Sequence, residues 1–178
     1  MGDREAILTN LGKAGKKSRL PLPPAPMPAL TYDALWEIFA TKLEALGGRI
    51  GNLQDLEVIL SRPHVLDVES ATRLGRKSGG ADVWAAEVGV TTVDLAIAET
   101  ATLMLSTGPG RPRLASLTPT LHVALVPKER IVATMSEAFT QLTDRTTVLI
   151  TGPSRTADIE GILVRGVHGP GDVLVIPV

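Results

Sequence analysis

At 178 residues the chain is long enough for one domain with a sizeable core and too short for two. Its residues are 44% hydrophobic but only 3% aromatic, so the core has to be built from Leu, Val, Ile and Ala, which favours layered α/β packing. A net charge of -1 with mixed signs excludes general nucleic-acid or anionic-membrane binding through a broad basic field, and the absence of cysteine excludes disulfides, thiolate metal sites and a cysteine-ligated iron-sulfur cluster.

Residues 1–28 read as a basic arm, with Lys13, Lys16, Lys17 and Arg19, followed by the proline-rich "LPLPPAPMP", which favours extended backbone. No apolar run approaches the roughly 20 residues that cross a bilayer, and the first 20 residues lack the apolar core of a secretory signal. The expectation is a cytoplasmic protein with no membrane insertion, its single α/β domain running over 29–178.

From Thr31, "TYDALWEIFATKLEALGG" spaces Leu35, Ile38, Phe39, Leu43 and Leu46 for one helical face, with Thr31 or Asp33 to cap the start and Gly47 to end it. "LQDLEVIL" reads as a second helix, "HVLDVE" as a strand and "DVWAAEVGVT" as another. "VDLAIAETATLMLS" fits either a helical turn followed by a strand or a hairpin, with "ATLMLS" a strand in both readings. Next come a buried strand "LHVALVP", a helix "KERIVATMSEAFTQL", a strand "TTVLITG", a helix "SRTADIEGILVRG" and a final strand "DVLVIPV". Strands alternating with helices predict a central, mostly parallel sheet flanked by helices.

Two segments concentrate polar chemistry. In "AETATLMLSTGPGRPR", Glu99 and Thr100 interrupt an apolar run that exits into Ser106, Thr107, Gly108 and the loop arginines Arg111 and Arg113, a plausible anion loop without a P-loop ending. Glu99 can serve as nucleophile or base, or as an ordinary buried carboxylate paired with one of those arginines. In "TGPSRTADIEGILVRGVHGP", Gly152 ends a strand, Ser154 or Thr156 can cap the next helix, and Arg155 can contact an anion. Helical spacing would put Ser154, Arg155 and Asp158 on one face, as a site or as a cap with its ion pair. His168, in the Gly-Pro turn, can transfer protons or fix the turn. His64 and His122 show no ligand spacing, so no metal site is expected.

These letters resemble a known family. "VGVT", "IAETATLMLSTGPGRPRLASLTPTLHVALVP" and "GPSRTADIEGILVRGVHGP" look like the lactate-utilisation protein C group of LUD-domain proteins, over about residues 31 to 178. One departure is Ala101, where members usually have glycine; the added methyl puts close approach of a ligand at that turn in doubt. The resemblance implies a fold like that of the superfamily of isomerases, deaminases and CoA-transferases that includes ribose-5-phosphate isomerase. It implies a role in oxidising L-lactate to pyruvate beside iron-sulfur partner proteins, with no cofactor held by this chain.

Two functions follow as expectations. One is a non-redox component of a lactate-utilisation system that binds a small anionic metabolite or a partner subunit, with self-association open. The other is a stand-alone enzyme on a small phosphorylated or carboxylated metabolite, with Glu99 as base or nucleophile, Asp158 or His168 transferring protons, and Arg111 and Arg155 as clamps.

Overall fold

A computed structural model describes residues 4, 5, 9, 30–157 and 163–178, so most of the expected arm and linker, and Asp158, lie outside the described residues. The first helix, α1 (Tyr32–Ala45), forms as its spacing predicts: the Thr31 side chain caps it, and Leu35, Phe39 and Leu43 are buried on one stripe. It leads into β1 (Arg49–Ile50), α2 (Leu53–Ile59), β2 (His64–Leu66), α3 (Val68–Arg73) and β3 (Gly79–Gly80). Then come β4 (Val88–Thr92), β5 (Leu95–Ile97), β6 (Thr102–Ser106), a 3-10 turn at Arg113–Ser116 and β7 (Leu121–Val126). Last are β8 (Ile131–Val132), α4 (Met135–Phe139), β9 (Thr147–Ile150), β10 (Arg155–Ala157), β11 (Leu163–Arg165) and β12 (Asp172–Pro177).

The central sheet has the order β1-β12-β7-β4-β2-β3 and is parallel except for the edge pair β2-β3. Because side chains alternate across a strand, β7 and β12 supply both faces of it. Leu121, Val123, Leu125, Leu174 and Ile176 pack with Leu56 and Leu60 from α2 and its cap, and with Ala71 from α3. Ala124, Val126, Val173 and Val175 face the other way, onto Leu35, Phe39 and Leu43 of α1 and onto Leu103 and Leu105 of β6. A second sheet, β8-β5-β6-β9, is therefore a layer on the α1 side of the first. The hairpin reading of "VDLAIAETATLMLS" is the one that forms: β5 and β6 pair antiparallel, Ile97 opposite Thr102.

Four expectations need correction. The strand expected over 82–91 begins only at Val88, because residues 83–85 form a turn in which Ala85 donates its N–H to the Asp82 carbonyl (2.8 Å). "HVLDVE" holds only three strand residues, because Asp67 caps α3 by accepting the Ser70 N–H (2.6 Å). The helix expected over 128–142 shrinks to α4: the β-branched pair Ile131 and Val132 joins β5 in parallel, and the helix starts only after the Thr134 cap. The helix expected over 154–166 is replaced, where described, by the antiparallel pair β10 and β11, with Thr156 opposite Val164. Its apolar spacing suits either period, and β-branched side chains on both strands favour the ladder. Among the described residues no helix is long and apolar enough to cross a membrane.

Candidate functional site

The β5-β6 hairpin decides which predicted site residues can meet. Its open end holds Asp94 and Ser106, and its turn holds Glu99, Thr100 and Ala101. Along β6 the ends are about 13 Å apart at 3.3 Å per residue. Arg111 belongs to the open end, where it pairs with Asp94 and donates to the Thr92 carbonyl (2.7 Å). The structure therefore does not bring Arg111 to Glu99.

The open end forms a shallow cleft lined by Asp67, Thr91, Ser106, Thr107, Arg111 and Arg113. It lies at the carboxyl ends of β2 and β4, where open α/β sheets commonly bind ligands. Gly108 and Arg111 close its loop by backbone pairing, and Asp94 also accepts the Ser106 N–H. Asp67 is only 2% exposed and accepts the Thr92 N–H (3.1 Å) besides that of Ser70. Burial raises its carboxyl above the ordinary range, against the pull of those hydrogen bonds and of Arg111. Two carboxylates beside two arginines leave this cleft with no net positive charge.

Thr91 also reaches inward, its Oγ1 lying 2.8 Å from His122 Nε2. His122 is fully buried, and burial pushes its imidazole down to about 4, so it is neutral at physiological pH. Its Nδ1 has no partner among the described residues. A bare lone pair is cheaper to bury than an orphan N–H, so the proton sits on Nε2 and is donated to Thr91.

The turn end is the place where the two motif segments meet. Thr102 Oγ1 lies 2.7 Å from Thr100 Oγ1 and 2.8 Å from Thr151 Oγ1, a chain of hydroxyls from the turn to the end of β9. Lys42 Nζ donates to the Glu99 carbonyl oxygen (2.5 Å), and one helical turn later the Leu46 carbonyl accepts from Arg155. Gly152 packs on that same Leu46. Ala101 has φ 52°, a strained conformation for alanine, yet its methyl is fully buried with Leu35 and Phe39. The methyl replacing the usual glycine hydrogen points into the core and not toward the surface where a ligand would approach.

The remaining predicted residues have structural partners here. Glu99 Oε2 accepts the Met135 N–H (2.9 Å) and so supplies a second oxygen at the start of α4. Ser154 donates its N–H to the Pro170 carbonyl (2.9 Å) and accepts from Gly166 (3.1 Å), tying the base of the β10-β11 pair to the turn that carries the exposed His168. Thr156 pairs across the hairpin and is half-buried. Lys42, Asp67, Thr91, Thr102, Thr151 and Arg165 were not singled out from the sequence, and His122 was weighed there only as a metal ligand. Only Asp67, placed as a cap before a helix, carried a local signal. Among the described residues no group of three or more His, Asp or Glu is arranged to hold a metal.

This is an α/β protein with a mostly parallel sheet, a second sheet layered on it, and polar clusters at the two ends of an inserted hairpin. Residues 41–178 match the LUD domain, and the chain belongs to that family. It is 43% identical over 94 residues to lactate utilization protein C of Exiguobacterium sp., covering 48% of this chain and 41% of that protein. It is 44% identical over 94 residues to the protein of that name from Bacillus velezensis, covering 48% and 39%. The matched segment thus spans about two-fifths of the length of these relatives. A crystal structure of a DUF162 family protein from Deinococcus radiodurans shares the fold, with a TM-score of 0.57 at 20% identity, covering 84% of this chain and 99% of that one.

Proposed function

We propose that the chain is a non-redox component of a cytoplasmic L-lactate utilisation system. In this reading it binds a small anionic ligand or a partner subunit where the 99–102 turn meets residues 151–155, and iron-sulfur partner proteins carry the oxidation of lactate to pyruvate. The observation that carries the reading is the identity of about two-fifths to proteins named lactate utilization protein C. The 178 residues contain no cysteine ligand for a cluster, which agrees with a part that does not carry electrons. At the turn end, Lys42 reaches the Glu99 carbonyl and Arg155 the Leu46 carbonyl, three linked hydroxyls run from the turn to the end of β9, and the Glu99 carboxylate is directed to α4, a set of donors that favours an anion.

The stand-alone enzyme draws less support, because its proposed base, Glu99, is engaged as a cap and its proposed clamp, Arg111, is held by Asp94 at the far end of the hairpin. Deleting the coding sequence in a strain without a paralogue should abolish growth on L-lactate as sole carbon source while leaving growth on pyruvate intact. Unimpaired growth on L-lactate would sink the proposal.

A further inference from the structure

The outer face of the second sheet carries Leu95, Ile97, Met104 and Val132, and α4 packs Met135 and Ala138 into that cluster. At five residues α4 is too short to cover the whole face. Beyond it, residues 140–146 arch across the open end of the hairpin. The arch is pinned at one side by the Gln141 N–H on the Ala138 carbonyl (3.0 Å). At the other side the Thr146 carbonyl accepts the N–H (2.9 Å) and the hydroxyl (3.2 Å) of Thr107. Between arch and sheet lies a half-open cavity of about 140 Å³. An engineered cavity of roughly 150 Å³ takes up benzene, so this space suits a ligand of about six heavy atoms.

We propose that this cavity binds a short hydroxy acid, its carboxylate on Arg145 and its hydroxyl on Asp94. The site lies at the end of the hairpin away from the turn and does not rest on the role proposed above. Its floor is apolar, made by Leu95 and Met104, and takes a short alkyl group. Arg145 lines it from the arch with a planar fork that matches a carboxylate. The guanidinium lies against the backbone at Gly108, its Nη1 3.4 Å from where a β-carbon would stand, so a side chain at 108 would crowd it. Gln141, Thr143 and Arg145 line the cavity whereas Leu142 and Asp144 between them do not, so the carboxylate next to Arg145 in the chain stands outside. From the hairpin side, Asp94 contributes the group that selects the hydroxyl. Its Oδ1 binds Arg111 and its Oδ2 accepts the Ser106 N–H, which leaves each oxygen one acceptor site. Those sites repel a second carboxylate and accept a hydroxyl proton. Arg111 already matches the Asp94 charge, so a neutral donor fits there and an ammonium adds an unmatched charge.

The test is a titration of the full chain, carrying 13C-methyl methionine, with sodium L-lactate against sodium chloride at matched ionic strength. The Met104 methyl resonance should shift saturably with a Kd of about 1 mM, as a six-atom ligand allows. Met135, whose N–H is bound to Glu99 at the turn end, should move less. Pyruvate, which offers only acceptors, and L-alanine, which carries an ammonium, should each bind at least about tenfold more weakly. Arg145 is exposed, so Arg145→Gln should leave Tm unchanged while weakening L-lactate at least about tenfold. The site would be overturned by a shift confined to Met135, by no saturable shift of Met104 well above that Kd, by equal binding of pyruvate or L-alanine, or by undiminished affinity in Arg145→Gln. Each of these outcomes is independent of whether deletion abolishes growth on lactate.

Discussion

Thr102 and Thr151 share a hydrogen bond of 2.8 Å between their hydroxyls, and Thr102 is buried where the 99–102 turn meets the end of β9. Thr102→Val keeps the shape and removes both of its hydroxyl bonds. Thr151 is exposed and Thr100 partly so, which lets water take their freed groups. The expected loss is therefore modest, about 1 to 2 kcal/mol in urea unfolding. A loss above about 4 kcal/mol would mean that the contact does more than join the two segments.

Gly89 in β4 lies under the 3-10 turn, and a β-carbon there would stand 1.7 Å from the Ala115 carbonyl oxygen. Backbone, not a flexible side-chain end, blocks the space. Gly89→Ala should cost at least about 3 kcal/mol or prevent folding, which circular dichroism and the soluble yield would register. A stable, wild-type-like variant would show that the turn does not pack on β4 in this way.

His122 makes stability depend on pH in a defined window. Its folded-state value of about 4 lies below the 6.5 of an ordinary histidine. The stability tied to the neutral ring is complete above pH 6.5 and is lost as pH falls toward 4, by about 3 kcal/mol in all. His122→Leu removes that dependence. The stability difference between wild type and variant, measured by urea unfolding from pH 7 to pH 4, should fall by this amount; a constant difference would contradict a neutral, buried imidazole.

Ala101→Gly should change stability by less than about 1 kcal/mol. Relief of the left-handed strain, about 1 to 2 kcal/mol, is offset by about 0.8 kcal/mol for the buried methyl and by the greater freedom of glycine when unfolded. Ala101→Val, a β-branched residue at φ 52°, should cost clearly more. Thermal unfolding of the two variants side by side tests the pair, and equal cost in both would count against the buried orientation of the methyl.

The central layers were legible because their signals were redundant. Leu121–Val126 and Asp172–Pro177 are short apolar runs bounded by turns, as strands buried on both faces must be, and α1 combines a cap, a period and a terminating glycine. Segments with a single signal were misread. Around Thr156 and Val164 the apolar spacing fits a helix as well as a strand, and ladder pairing decides it. In the site, Glu99, Thr100, Ser154 and Arg155 stood out as polar interruptions of apolar sequence. Lys42 and Arg165 did not, because only the packing of α1 beside the hairpin brings those ordinary surface cations to the Glu99 carbonyl and to Gly47. His122 looked inert beside a strand's first residue, and its role depends on the unrelated Thr91 across the sheet.

In the central sheet, β12 lies between β1 and β7, with Arg49 opposite Leu174 and Val173 opposite His122. The sheet cannot close until residues 172–177 arrive, however early the helices form. Such high contact order favours slow folding, and until β12 inserts, β7 presents an open apolar edge to other chains. The interval before that insertion is when this chain is most exposed to aggregation.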